Sequence, residues 1–174
     1  FNELDDALEW MEEQWLVKEG LWPRADRNYS LRDFDVFAGR SEDTLSDLSA
    51  AMETRHIVAG EKLFSLGEAS NEIFFIVRGE VRIDILMPDG RQHHMATHHQ
   101  GDFIGEMGFL DGRARADFAV AVTDVEVMVL TREKFDLLAD NHRRLGSLFM
   151  LEIARVLASR LRQTSNELKI LGSA

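Results

Sequence analysis

The residues with most chemistry to offer in this 174-residue chain are Glu106, preceded by Gly105, and Arg115, followed by Ala116. The run Gly101-Asp102-Phe103-Ile104-Gly105-Glu106-Met107-Gly108-Phe109-Leu110 feeds a short apolar strand into a glycine, and its pattern predicts a helical turn beginning at Glu106. The first turn of a helix presents unpaired amides and the positive end of the helix dipole, a natural seat for an anionic oxygen. Glycine at 105 lets backbone come close to a ligand that a side chain would hold away. Arg115, expected to open the next strand, brings a planar, permanently charged group that donates two parallel hydrogen bonds, the geometry a phosphate accepts. Glu106 is suited to accept from a sugar hydroxyl. At about 4 Å and an effective dielectric near 20, one Arg–phosphate pair contributes on the order of 4 kcal/mol before desolvation. That is a large share of the roughly 8 kcal/mol in a micromolar complex. No nucleophile–base pair stands out elsewhere, so the reading is capture of a ligand without catalysis.

These residues need a scaffold, and the chain supplies β-type runs punctuated by glycine. They are His56-Ile57-Val58, Lys62-Leu63-Phe64, 72–78, 80–86, 91–98, 116–122 and 125–130. Val81, Ile83 and Ile85 alternate with Arg82 and Asp84, as in a sheet with one wet face. Pro88-Asp89-Gly90 has the residue types of a hairpin turn. Short strands at near-even spacing predict a small antiparallel roll or barrel. Helical periodicity flanks them. Leu4, Leu8, Met11 and Trp15 mark an acidic helix over 2–17, and Gly20, Pro23 and the polar stretch 24–28 read as a linker. Ser41 is an N-cap candidate before Glu42 and Asp43, with Leu45, Leu48 and Met52 turned inward. After Thr131 the pattern is helical again, over 132–139 and then over about 143–171.

The expected architecture is mainly β with flanking helices: an antiparallel, jelly-roll-like β-roll with N-terminal helices and a long C-terminal helix. Residues 1–19 read as the tail of a preceding domain, 20–50 as linker and N-terminal helix, 51–131 as the β-roll, and 132–174 as helices for a lid or dimerisation. A first residue of Phe1, inside an apparent helix, reads as a piece of a longer protein.

Composition narrows the function. Apolar residues make up 45% and charged residues 29%, the profile of a folded globular domain. No apolar run approaches the roughly 18 residues that cross a bilayer. The chain has no cysteine, which excludes disulfides, thiolate metal sites and a cysteine nucleophile, and fits a reducing cytoplasm. A net charge of −11 argues against nucleic acid as the main partner.

The 105–116 stretch resembles the phosphate-binding cassette of cyclic-nucleotide-binding domains, the family of bacterial catabolite activators and protein kinase A regulatory subunits. The likeness lies in the Gly-Glu pair, the apolar helical turn, the short gap, and Arg followed by a small residue. Glu61 to Glu68 and Ile73 to Val81 resemble the family's preceding strands, and the likeness runs from about Phe34 to Leu168. It implies that Glu106 binds the ribose 2′-hydroxyl and Arg115 the cyclic phosphate, while Gly105 and Ala116 give backbone amides. Ile104 and Met107, flanking the Gly-Glu pair, join the implied ligand-binding set. Ala116 in place of Thr resembles versions that prefer cAMP over cGMP. Within Arg160-Leu161-Arg162-Gln163-Thr164-Ser165, Thr164 and Ser165 resemble a pair that reaches adenine. One departure is Asp117, where the family has a small residue. In a regular strand it would share a face with Arg115 and repel phosphate or neutralise the guanidinium; at a bulge it would turn away. The implied function is a cyclic-nucleotide regulatory domain, with no catalytic residue, metal or cofactor. The alternative is a degenerate dimerisation module of the same fold.

Other patterns point to partners. Leu151, Ala154, Ala158, Leu161, Ser165 and Leu168 form a short seam at alternating steps of three and four, which predicts a homodimer through the last helix. His93, His94, His98 and His99 read as hairpin polar residues, since alternation splits them between two faces. Trp10, Trp15 and Trp22 read as packing residues against the rest of a parent chain. Residues 2–13 resemble the end of a STAS domain in bacterial sulfate-permease-type anion transporters, which implies a parent at the cytoplasmic face of a membrane, without insertion of this fragment. A glutaminase, or another enzyme fused to the same pair of domains, is the rival parent.

Overall fold

The structure is a computed structural model that describes residues 29–171, leaving out seven side chains in the last helix. The predicted helix over 2–17, the linker and the three tryptophans lie outside the described residues. Two four-stranded antiparallel sheets face each other, with strand orders β1-β8-β3-β6 and β2-β7-β4-β5. The strands are β1 Glu53–Ile57, β2 Lys62–Phe64, β3 Glu72–Arg78, β4 Val81–Leu86, β5 Gln92–His98, β6 Phe103–Ile104, β7 Phe118–Ala121 and β8 Val125–Thr131. This is the expected β-roll.

Its helices begin where the sequence provides caps. Helix α1 (Glu42–Ala51) starts after Ser41, whose hydroxyl accepts from the Thr44 amide at 3.3 Å. Between β6 and β7 lies α2 (Glu106–Asp111). Helix α3 (Arg132–Asn141) is capped by Thr131, which accepts from the Lys134 amide at 3.3 Å. The last helix, α4, runs Arg143–Leu171. Two short 3-10 turns, Leu31–Asp33 and Asp35–Phe37, precede α1 in a stretch expected to be linker. They carry Leu31, Val36 and Phe37, all buried, which composition alone did not reveal.

The interior has two parts that share one wall. Phe74 and Ile76 of β3 and Val125, Val127 and Val129 of β8 pack between the sheets with Ile83 of β4. Ile73, Phe75 and Val77, the alternate residues of β3, face a helical layer holding Phe34, Phe37, Phe109, Phe135 and Phe149. A strand buried on both faces reads as a continuous apolar run, which explains why 73–77 shows no alternation. Phe149 of α4 is the hub of the helical layer: its ring centroid lies 4.7 Å from that of Phe135, 5.8 Å from Phe37 and 6.1 Å from Phe109. Phe109 belongs to α2, so this aromatic cluster joins α2 to α3 and α4.

One strand begins later than expected. Residues 116–117 form a bend and β7 starts at Phe118, so Arg115 ends a loop and does not open the strand. The regular strand on which the expected face-sharing of Arg115 and Asp117 depended is therefore absent at these residues, and Asp117 is half-buried within the bend.

Candidate functional site

Gly105 precedes α2 with φ 82°, the left-handed region that favours glycine. A Cβ there would stand 2.6 Å from Arg115 Nη1 and 3.0 Å from the Glu72 carbonyl oxygen. Glycine is therefore needed twice, for the turn and for the space into which the arginine folds. Gly108, inside α2, lies so close to Ser70 that a Cβ would overlap its side chain. The helix is thus seated on the loop before β3.

Arg115 is only 6% exposed. Its backbone is held by the turn after β2, donating to the Glu68 carbonyl at 2.9 Å and accepting from the Gly67 amide at 2.8 Å. Its guanidinium donates from Nη1 to the Gly105 carbonyl at 3.0 Å and from Nη2 to the Glu72 carbonyl at 2.9 Å. The rings of Phe64 and Phe74 lie 4.2 and 5.4 Å from it, so part of its environment is aromatic. Among the described residues, Nε is buried without a hydrogen-bond partner. Burial pulls the Arg115 group below its ordinary pKa, while the carboxylates of Glu72, Asp117, Glu106 and Glu68 push it up. None of these carboxylates hydrogen-bonds to it. A cation held in a low-dielectric site with only neutral acceptors is an incomplete pair.

Glu106 is 5% exposed, and its carboxylate is already engaged. Arg160 of α4 donates from Nη1 to Glu106 Oε1 at 2.6 Å and from Nη2 to the Phe103 carbonyl at 2.9 Å. The role of Arg160 was not legible in the sequence, where it stood only as the first residue of the Thr-Ser segment. Its one sequence signal is a place one helical turn before Thr164.

The other expected site residues are distributed unevenly. Ile104 is buried between the sheets, and Met107 is 57% exposed on the outer side of α2. Ala116 is exposed beside Arg115. Thr164 is exposed and donates to the Arg160 carbonyl at 3.1 Å within its own helix, and Ser165 is half-buried. The structure therefore brings Gly105, Glu106, Arg115 and Ala116 together and adds Arg160. It does not join Thr164 or Ser165 to the cassette by a hydrogen bond.

Asp117 is half-buried and, among the described residues, forms no ion pair and no side-chain hydrogen bond to another residue. Burial and then the charge of Glu106 push its carboxyl pKa up, and Arg115 and His98 offset this only in part.

The histidines of β5 and its following turn meet separate acids. His94 Nδ1 lies 3.7 Å from Asp84, His98 Nδ1 3.5 Å from Asp102, and His99 Nδ1 3.9 Å from Glu80. A cavity of about 110 Å³ lies next to the cassette, with Phe34, Asp35, Asp102, Glu152 and Arg160 in its wall but neither Glu106 nor Arg115. Arg160 thus borders both spaces. Among the described residues no helix is long and apolar enough to cross a membrane.

Comparison with known proteins agrees with this geometry. Glutaminase 1 of Bradyrhizobium diazoefficiens is 31% identical over 99% of this chain, which spans 27% of that protein. The CRP-like cAMP-activated global transcriptional regulator of Mycobacterium tuberculosis is 26% identical over 76% of this chain, which spans 58% of it. Among solved structures, the catabolite activator protein of Thermus thermophilus superposes with a TM-score of 0.69 at 30% identity, covering 79% of this chain and 62% of that one. The family model described as cyclic nucleotide-binding domain matches residues 54–142, a span that contains both sheets almost whole and the entire cassette. On that match, the chain belongs to the cyclic nucleotide-binding domain family.

Proposed function

We propose that this chain is the sensor of a longer protein, taking a cyclic nucleotide, with cAMP preferred over cGMP, and passing its arrival to the last helix. The observation that carries the reading is Arg115, a buried guanidinium with a vacant Nε donor and no carboxylate hydrogen-bonded to it. An anionic phosphate supplies the charge this site lacks, and the amides at the start of α2 add donors beside it. Glu106 has a second carboxylate oxygen to offer a ribose hydroxyl. Ala116 presents no hydroxyl to the base, which favours adenine over guanine by the likeness to cAMP-preferring relatives. The site binds and does not turn over its ligand; regulation then rests on the ligand's differential affinity for two arrangements of α4. Calorimetric titration with cAMP and cGMP tests this. Heat and a thermal shift with cAMP, weaker with cGMP and lost in R115A, are expected; no response at millimolar ligand anywhere from pH 5.5 to 8.0 refutes it.

Support for the nature of the parent comes from coverage. The likeness to Glutaminase 1 runs through 99% of the chain, including the segment before residue 29, whereas the likeness to the transcriptional regulator covers 76%. This favours an enzyme parent related to that glutaminase over an anion transporter, and expression of the full-length protein with a glutamine hydrolysis assay, with and without cAMP, separates the two.

A second reading, dimerisation through α4 without a ligand, has its own observation. Leu151 and Leu161 are 45% and 68% exposed on that helix, in line with Ala154 and Ala158. Sedimentation equilibrium distinguishes the cases: a dimer indifferent to nucleotide supports this reading, and a monomer refutes it.

A further inference from the structure

The cassette holds a carboxylate that neither the fold nor the ligand reading has used. Four acids act electrostatically on Arg115: Glu68, Glu72, Glu106 and Asp117. Glu72 is tied to Arg55, with Oε1–Nη2 at 2.7 Å and Oε2–Nη1 at 3.1 Å. Glu106 is tied to Arg160. Glu68 is exposed to solvent. Only Asp117 of the four is both half-buried and without a cation of its own. The groups that act on it are Glu106 from α2, Arg115 from the loop and His98 from β5. An anion arriving at Arg115 therefore settles two residues along the chain from a half-buried carboxylate in the 116–117 bend that, among the described residues, has no ion pair.

Two negative charges beside one buried cation are costly in a low-dielectric site, and the usual relief is protonation of the carboxylate. We propose that Asp117 makes anion binding in this pocket proton-linked: a proton is taken up at Asp117 as the phosphate settles beside Arg115. The inference rests on the cyclic-nucleotide reading and adds a regulation to it, because the same ligand concentration then occupies more sites at lower pH. Before binding, burial and Glu106 already favour the neutral acid; the ligand's charge favours it further, so uptake occurs in the pH window above the free protein's value and below that of the complex. Replacing Asp117 by Asn keeps the shape and removes the charge.

The test is titration of the 174-residue chain with cAMP at pH 5.5 to 8.0, in pairs of buffers that differ in ionisation enthalpy, alongside D117N, D117A and H98N. The wild type should take up close to one proton per cAMP, with affinity falling by up to about tenfold per pH unit across the linked window. D117N and D117A should bind cAMP more tightly than wild type at pH 7.5, with a flat profile, and H98N should keep the linkage. Binding restricted to the Asp117 variants at neutral pH also supports the inference. Wild-type cAMP binding without proton uptake overturns it and leaves the sensor reading standing, as does a linkage lost in H98N but kept in D117N. Equal binding of uncharged adenosine and cAMP, independent of pH, overturns it in favour of a neutral ligand. Failure of wild type and both Asp117 variants at every pH overturns the inference and the sensor reading together.

Discussion

Arg160 on the last helix and Glu106 at the start of α2 are joined by a 2.6 Å ion pair, although 54 positions separate them in the chain. The pair ties α4 to the residue that the family likeness assigns to the sugar, so a ligand that draws on Glu106 acts directly on the helix. Because Arg160 also donates to the Phe103 carbonyl, it holds both ends of the turn that leads into α2.

Removing Arg160 should loosen that connection. R160A leaves the Glu106 carboxylate buried without its cation, at a cost of about 2–3 kcal/mol, less than for a fully buried pair because Arg160 is partly exposed. Urea denaturation measures the loss, and hydrogen exchange should show faster opening of α4 near residue 160 than near Phe149.

Gly105 should tolerate no side chain. G105A places an alanine at φ 82° and brings its Cβ to 2.6 Å from Arg115 Nη1. The left-handed backbone alone costs about 1–2 kcal/mol. The displaced guanidinium adds to this and should abolish cAMP binding, which calorimetry on the still-folded variant would read.

Ser70 and Gly108 give a paired test. G108A should destabilise the fold by about 1–3 kcal/mol through overpacking against Ser70. S70G in the same chain should restore most of that loss. By itself S70A should be close to neutral, because the Ser70 hydroxyl is buried without a hydrogen-bond partner. A double-mutant cycle by thermal or chemical unfolding checks all three.

Two aspartates should pull stability in opposite directions with pH. Burial raises Asp102, but the His98 side chain, the His99 amide and Arg160 outweigh it and hold the carboxyl below its ordinary value. Its contribution is present above the unfolded pKa of about 3.9 and is lost as pH falls through the lower folded value. Asp117 is raised, so its native state binds the proton more tightly and stability declines as pH climbs from about 3.9 through the folded value. D102N should therefore flatten the acid limb of the stability curve, and D117N should be more stable than wild type at pH 7. Denaturant melts from pH 3 to 8 would show either result failing.

The strands were legible because alternation and turn residues agree locally. Val81, Ile83 and Ile85 marked β4, although a register shift between Ile83 and Asp84 leaves Asp84 buried where alternation put it on a wet face, and the Pro88-Asp89-Gly90 turn closed the hairpin that pairs β4 with β5. The cassette was legible because its parts lie within a dozen residues. Arg160 was not, because helical periodicity names a face without naming what it docks against, and Phe34 and Phe37 were missed because 3-10 turns of three residues have no repeat to detect. The bend at 116–117 was also hidden: residues 116–122 have strand-like composition, and the bonds that hold Arg115 just before the bend, to Gly67, Glu68, Gly105 and Glu72, are all tertiary.

β3 is walled on both sides, with Phe74 and Ile76 locked between the sheets and Ile73, Phe75 and Val77 set against the aromatic helices. Its two faces belong to different mechanical compartments. The inner one is closed off by the opposite sheet, while the outer one rests on rings carried by α2, α3 and α4, so any shift of those helices meets the roll at this strand first.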